Sequence, residues 1–230
     1  MGELIDMESA RTLVADQALW PRMRDFLWDF ALQVHPSWLE GLEGLPPSVV
    51  SLLTSSPRVK RAVLDALGVE PCFHLFPKDD FSRLVLLDGA TLESLVKWIG
   101  ALACADELRG VTSGKIVRAL KAALPGVYPE VFSYTAYFKV TAKKPEGESS
   151  DVGSRASNVE SIVAAGWNIL SASLSHLPES LLRRLALKLP KSFQPLDGRH
   201  STADSWAFDN RMISKLLKLK FPEAYSLCCS

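Results

Sequence analysis

The chain is short of nearly everything that announces a chemistry. Its 230 residues hold four cysteines, Cys72, Cys104, Cys228 and Cys229. Adjacent cysteines do not readily bridge each other and the other two are isolated, so no disulfide framework is expected, in keeping with a reducing compartment. Leu227 stands where a prenylation box needs cysteine, which removes that reading of the tail. None of the histidines, His35, His74, His176 and His200, has a His or Cys three to five residues away, the local pair on which a zinc site usually draws. Cys72 and His74 are two apart, and no second pair completes a site. Thr112-Ser113-Gly114-Lys115 stops short of a phosphate loop, with Arg109 at the first glycine position and Ile116 where Ser or Thr must follow the lysine. A glycine-rich dinucleotide fingerprint is also lacking. The acidic pairs Asp79-Asp80 and Asp106-Glu107 fall at helix edges, where carboxylates are ordinarily solvated or capping. Cys104 lies among small and apolar residues and reads as core. No catalytic residue, metal, cofactor or small-molecule substrate is expected.

Charge of one sign is lacking too. Lys plus Arg and Asp plus Glu number 26 each, so there is no global basic footprint for nucleic acid. No apolar run approaches the roughly 20 residues of a bilayer span, and no integral membrane segment is expected. Glu3, Asp6 and Glu8 near the start are at odds with a secretory signal, so the product is expected to stay in the compartment where it is made.

What is present is a globular composition, 47% hydrophobic and 23% charged, with enough chain for one large domain or two small lobes. Prolines punctuate it, and the stretches between them read as helices. Leu19 to Gln33 carries Trp20, Met23, Phe26, Leu27 and Phe30 at helical spacing, and Val34-His35-Pro36 redirects the chain. Pro36 to Leu42 reads as a fresh turn with Trp38 and Leu39 inward. Pro47 to Thr54 and Pro57 to Leu67 each begin near a proline, and Gly68 is placed to cap the second. Residues 70–88 and 127–140 fit helix or strand, and both are read here as helix. Thr91 to Leu108 is a strong amphipathic helix with Thr91 as its N-cap and Gly110 at its close. Thr112 or Ser113 opens another, ended by Pro125-Gly126.

Residues 143–156 read as a polar linker between lobes 1–142 and 157–230. Beyond it, Ser157 to Glu160 fits a capping box ahead of a stripe of Val159, Ile162, Val163, Gly166, Trp167, Leu170 and Leu174. Gly166 beside Trp167 suggests a close helix crossing. Pro178 opens a helix with Leu181, Leu182, Leu185 and Leu189 inward and Arg183, Arg184 and Lys188 outward, stopped by Pro190. A loop through Leu196-Asp197-Gly198 leads to a last helix, capped by Thr202 or Asp204, that bears Trp206, Phe208, Met212, Ile213, Leu216, Leu217 and Leu219 and ends at Pro222. That helix, with Lys215, Lys218 and Lys220, fits a membrane surface or, more commonly, packing on its own domain. The fold expected is all-α, an irregular bundle of about eight to ten helices in two packed lobes.

From Ser180 to Ser230 there are nine basic residues against four acidic ones. Such asymmetry suits oriented docking between proteins, although solvated helix faces and helix C-termini are the simpler reading of it.

Several stretches resemble the SctK/YscK family of type III secretion proteins. Phe30 to Leu39, followed by Leu45-Pro46, is similar to that family's proline, two residues, aromatic segment and its Leu-Pro break. Leu84 to Ala103 is similar to its Leu-rich helix, with the ending Trp98-Ile99-Gly100-Ala101-Leu102. Val159-Glu160-Ser161 with Gly166-Trp167, the run Leu182 to Pro190, and Lys215 to Pro222 complete the likeness. The resemblance implies an all-helical cytoplasmic protein of the secretion sorting platform, peripheral at the cytoplasmic face of the inner membrane. It would link the cytoplasmic domain of the ring protein SctD to SctQ, and so to SctL and the ATPase SctN. The family offers no catalytic residues to carry over. Arg183, Arg184, Lys215 and Lys218 are the residues expected to meet a partner. A chaperone or regulatory module for exported proteins is the alternative reading, and a small enzyme with a spatially assembled site is the third.

Overall fold

The computed structural model describes residues 19–40, 42, 52–70, 80–138, 158–193 and 210–228. Among them are eleven α-helices, three short 3-10 stretches and no strand, so the fold is all-α. The expected linker 143–156, Ser157, the starts of the helices expected at Pro47 and at Thr202 or Asp204, the Leu196-Asp197-Gly198 loop, Trp206 and Phe208 lie outside the described residues.

Contacts divide the chain into two compact units, each discontinuous in sequence. The first draws on Met1–Gly89, Leu177–Lys191 and Phe221–Ser230, the second on Ala90–His176 and Ser192–Lys220. Each takes residues from both sides of 143–156, so neither coincides with a lobe expected on one side of it.

The first unit is assembled around a 3-10 stretch, Asp80–Leu86. Ser82 and the run Leu84 to Leu87 are buried. Helix α1 (Leu19–Trp28) packs on that stretch. It buries Leu19, Met23 and Phe26, and Phe30 of the following 3-10 turn Phe30–Gln33 is buried as well. Spacings of four, three and four place these residues on one face. Trp20, at helical spacing with them in the sequence, lies one residue off that face and is 37% exposed. Helix α2 (Pro36–Leu39) is a single turn whose Trp38 and Leu39 are half-buried.

Helix α3 (Pro57–Ala66) shows how local sequence sets an element's limits. The Ser56 hydroxyl accepts a hydrogen bond from the Val59 N–H at 3.4 Å, and Pro57 follows at the first helical position. At the other end Gly68 adopts φ +65°. Its N–H donates to the Asp65 carbonyl at 3.0 Å and that of Val69 to the Leu64 carbonyl at 2.8 Å. This is the Schellman closure that a glycine in the left-handed region permits.

In the second unit, α4 (Gly89–Ala103) begins two residues before Thr91, so Thr91 lies in its first turn and is not the cap. Asp88 immediately precedes it, a residue type suited to that place. The helix breaks at Cys104, which is buried at φ −94° and ψ 13°, and the chain restarts as α5 (Ala105–Arg109), with Gly110 next. Helices α6 (Gly114–Ala123) and α7 (Tyr128–Tyr134) follow, so the described part of 127–140 holds a helix over 128–134, with turns on either side and no strand. Helix α8 (Val159–Ser173) is capped by Asn158, whose side chain accepts from the Glu160 N–H at 3.0 Å. The cap therefore sits one residue later than the expected Ser157. Gly166 lies at a close crossing with α4. A Cβ there would stand 2.0 Å from the Val96 carbonyl oxygen, and one at Gly100 would stand 1.9 Å from that of Ile162.

Helix α9 (Glu179–Leu187) belongs to the first unit, as does the last described helix, α11 (Pro222–Cys228). Both pack on the central stretch 80–86. Between them in sequence, α10 (Asn210–Lys220) belongs to the second unit and buries Ile213, Leu216 and Leu217. Pro222 ends α10 as expected and also starts α11, a first-turn position where its missing N–H costs nothing.

Candidate protein-binding site

The basic run on α9 divides into two populations. Arg183 is exposed, whereas Arg184 and Lys188 are 1% and 2% exposed. The expectation that Arg184 and Lys188 face outward, with Arg184 meeting a partner, is corrected by this burial. Leu181, Arg184, Leu185 and Lys188 fall at three- and four-residue spacings and share the inward face.

Their charges are met by backbone carbonyls. The Arg184 guanidinium donates to the Phe26 carbonyl at 2.7 Å and the Glu70 carbonyl at 3.0 Å. It also lies over the Phe26 and Phe30 rings, 5.4 and 4.9 Å from their centroids. Lys188 Nζ donates to the carbonyls of Val85 and Leu87 at 2.7 and 2.9 Å and lies 4.9 Å from the Phe26 centroid. Together the two cations tie α9 to the end of α1, to the chain after α3 and to the central 3-10 stretch. Ring faces and carbonyl dipoles replace part of the hydration that burial removes.

Burial pushes the Lys188 ammonium from its ordinary 10.5 down to about 7; Asp88 acts against the fall, and Arg184 and Arg22 add to it. The consequence for stability follows from proton linkage. Between about pH 7 and 10.5 the unfolded chain keeps the Lys188 proton and the folded chain releases it, so stability rises with pH. Below pH 7 both forms hold the proton and this contribution is flat at its lower level. We expect the stability difference between wild type and Lys188→Met, followed by urea unfolding from pH 6 to 10, to move in favour of wild type as pH rises. A difference independent of pH would contradict the assignment.

The end of the same helix is closed by the turn around α2. The His35 N–H donates to the Leu187 carbonyl at 2.8 Å, and the Trp38 indole N–H to that of Leu189 at 2.9 Å. The Lys191 N–H donates to the Ser37 hydroxyl at 2.9 Å. Carbonyls at a helix end have no intrahelical donor, and this turn supplies two. Arg183 reaches from α9 to the Leu67 carbonyl at 3.2 Å and lies over Trp38, 5.7 Å from the ring centroid.

Lys215 and Lys218 stand exposed on α10, in the second unit. Lys215 Nζ donates to the Tyr137 carbonyl at 3.0 Å and lies over the Tyr137 and Phe138 rings. Lys220, at the end of α10, pairs with Glu130 and stands 4.7 and 4.3 Å from the Trp98 and Tyr134 ring centroids. Desolvation lowers its pKa, but hydrogen bonds to Glu130 and Tyr134 outweigh that and hold the ammonium above its ordinary value. The four expected partner residues are thus split, Arg183 and Arg184 in one unit and Lys215 and Lys218 in the other, with Arg184 inside.

Among the described residues no group of three or more His, Cys, Asp or Glu is placed to hold a metal. No described helix is long and apolar enough to cross a membrane.

The family model of YOP proteins translocation protein K (YscK) matches residues 25–230. The chain belongs to the YscK family. It is therefore a type III secretion protein, a component of that apparatus with protein partners in it. No curated protein and no solved structure gives a significant match to this YscK-family chain. Two of the stretches that resemble the family in sequence, Phe30 to Leu39 and Leu182 to Pro190, meet in the first unit through the bonds at Leu187 and Leu189. Two others, Trp98 to Leu102 and Gly166-Trp167, meet at the helix crossing of the second. In this chain these stretches serve packing and capping.

Proposed function

We propose that this chain is a non-enzymatic adaptor of the type III secretion sorting platform, joining the cytoplasmic domain of the inner-membrane ring protein SctD to SctQ and, through SctQ, to the SctL–SctN ATPase complex. It acts in the bacterial cytoplasm, peripheral to the inner membrane. The observation that carries this reading is family membership over residues 25–230. The exposed cations Arg183, Lys215 and Lys218 support it as candidate contacts; Arg184 is withdrawn from that set because its charge is spent inside the first unit.

The test is capture of the purified full chain on the immobilised SctD cytoplasmic domain and on SctQ from the same secretion system. Retention by both at micromolar concentration is expected, and retention by neither overturns the reading. A soluble one-to-one complex with an exported protein, without attachment to either, points instead to a chaperone. Reversing Arg183, Lys215 and Lys218 to glutamate is expected to slow association about tenfold at low salt and to flatten its salt dependence. An unchanged rate removes these side chains from the contact.

A further inference from the structure

Helix α6 carries charge of one sign only. Lys115, Arg118 and Lys121 recur along it every third residue, and all three are exposed. No aspartate or glutamate occurs from Leu108 to Pro129. On α3, α4 and α5 the chain supplies its own counter-charges three or four residues away: Asp65 for Arg61, Glu93 for Lys97 and Asp106 for Arg109. Among the described residues no carboxylate pairs with Lys115, Arg118 or Lys121.

Solvation near a helix C-terminus, the simple account of basic residues on a helix, does not fit the leading member. Lys115 is the second residue of α6, at the end where the helix dipole is positive and a cation is unfavourable. Arg118 is drawn the same way, its Nε donating to the Gly114 carbonyl at 3.2 Å. No acidic residue stands in the first turn, and the Ser113 side chain makes no capping bond. Like charges three residues apart also repel along the helix. The helix thus holds its positive charge against its own stability, and an acidic partner would relieve both costs.

The rest of the outer side says which anionic partner fits. Leu120 and Leu124 are buried and Ile116 and Val117 half-buried, so the apolar side of α6 is turned into the second unit. Beside the cations on the exposed side stand Ala119 and Ala122. A bilayer would find no large apolar side chain there to take up, and three cations give only about 3 kcal/mol against an anionic membrane. Nucleic acid would find no aromatic ring on this helix to stack on a base. An acidic protein helix fits both features. Carboxylates at three- or four-residue spacing run in step with the cations over about 9 Å, and the low alanine floor lets a second backbone come close.

We infer that the outer side of α6, through Lys115, Arg118 and Lys121, docks an acidic helical segment of another protein of the secretion apparatus. The inference draws on membership of the YscK family and stands or falls apart from the SctD–SctQ assignment.

The test is photo-crosslinking of the full chain in cells that carry the secretion system, with benzoylphenylalanine at Ala119 within the face or at Thr112 on its rim. An adduct with a protein of the apparatus is expected, and mass spectrometry should map it to a peptide with carboxylates three or four residues apart. Lys115→Glu/Arg118→Glu/Lys121→Glu should cut the yield at least about tenfold. Exchanging the mapped carboxylates for lysine should restore it. Lys115→Gln/Arg118→Gln/Lys121→Gln, gentler on the helix, should keep the far-UV circular dichroism of the wild type and still lose most of the adduct, which decides the matter if the reversed variant misfolds. An adduct with phospholipid, nucleic acid or a protein outside the apparatus overturns the inference. So do a mapped peptide without such carboxylates, a yield that neither variant lowers, a loss that charge exchange does not restore, and no adduct from either position.

Discussion

Gly166→Ala and Gly100→Ala are each expected to destabilise the second unit by about 3 kcal/mol or more, near the top of the range for overpacking. The reason lies in the backbones. An added Cβ at Gly166 would stand 2.0 Å from the Val96 carbonyl oxygen and 2.9 Å from the Gly100 nitrogen. One at Gly100 would stand 1.9 Å from the Ile162 carbonyl oxygen and 3.1 Å from the Gly166 nitrogen. The opposing atoms belong to helix backbones, which do not turn aside as a flexible side chain would, so α4 and α8 must separate. That separation loosens contacts of Leu92, Leu95, Val96, Ile99, Ile162, Val163 and Leu170, all buried. Urea unfolding should show a lower midpoint, and near-ultraviolet circular dichroism a weaker signal from Trp98 and Trp167. Gly114→Ala is the control: nothing lies within 4 Å of a Cβ there, and it starts a helix without a positive φ. Its effect should be neutral to slightly stabilising. Equal losses at all three positions would show that the crossing is not what the first two disrupt.

Arg184→Met is expected to destabilise the first unit by about 3 kcal/mol, with Arg184→Lys losing roughly half as much. A buried charge is often a poor source of stability, and replacing a whole ion pair by apolar residues can even help. Here the partners are the Phe26 and Glu70 carbonyls, which no side-chain substitution removes. Methionine fills the stem's volume but leaves those acceptors without their donor. Lysine keeps the charge and loses the fork that reaches both. Arg184 and Lys188 both lie over the Phe26 ring, so the double variant Arg184→Met/Lys188→Met should depart from additivity. A midpoint for Arg184→Met equal to that of wild type would mean that water satisfies the carbonyls.

Helix positions were largely legible because prolines, caps and three-to-four periodicity agreed. Pro57, Gly68, Pro178, Pro190 and Pro222 mark real ends or starts, and Gly166 beside Trp167 marked a real crossing. Gly100 went unrecognised as its counterpart, because a lone glycine in an apolar helix gives no sign of which backbone approaches it. The inward cations were hidden by the rule that charge faces water. Their spacing with Leu181 and Leu185 held the signal, but it reads only when backbone carbonyls are counted as partners. Spacing alone does not separate Trp20 from the core residues, and it stands outside because the set 19, 23, 26, 30 fills the inward face. Residues 84–87 resisted assignment because a stretch surrounded by protein shows neither helical nor strand period.

The interleaving of the two units along the chain bears on how the molecule is made. The stretch 80–86 is translated well before α9 and α11. Until those two helices arrive, the Phe26, Val85 and Leu87 carbonyls have no cation to accept from and the apolar run 84–87 lacks much of its cover. Ribosomal synthesis therefore finishes α4 to α8 while the earlier-made half is still waiting. Its closure is a late, non-local step of the kind that proceeds slowly and exposes a nascent chain to aggregation.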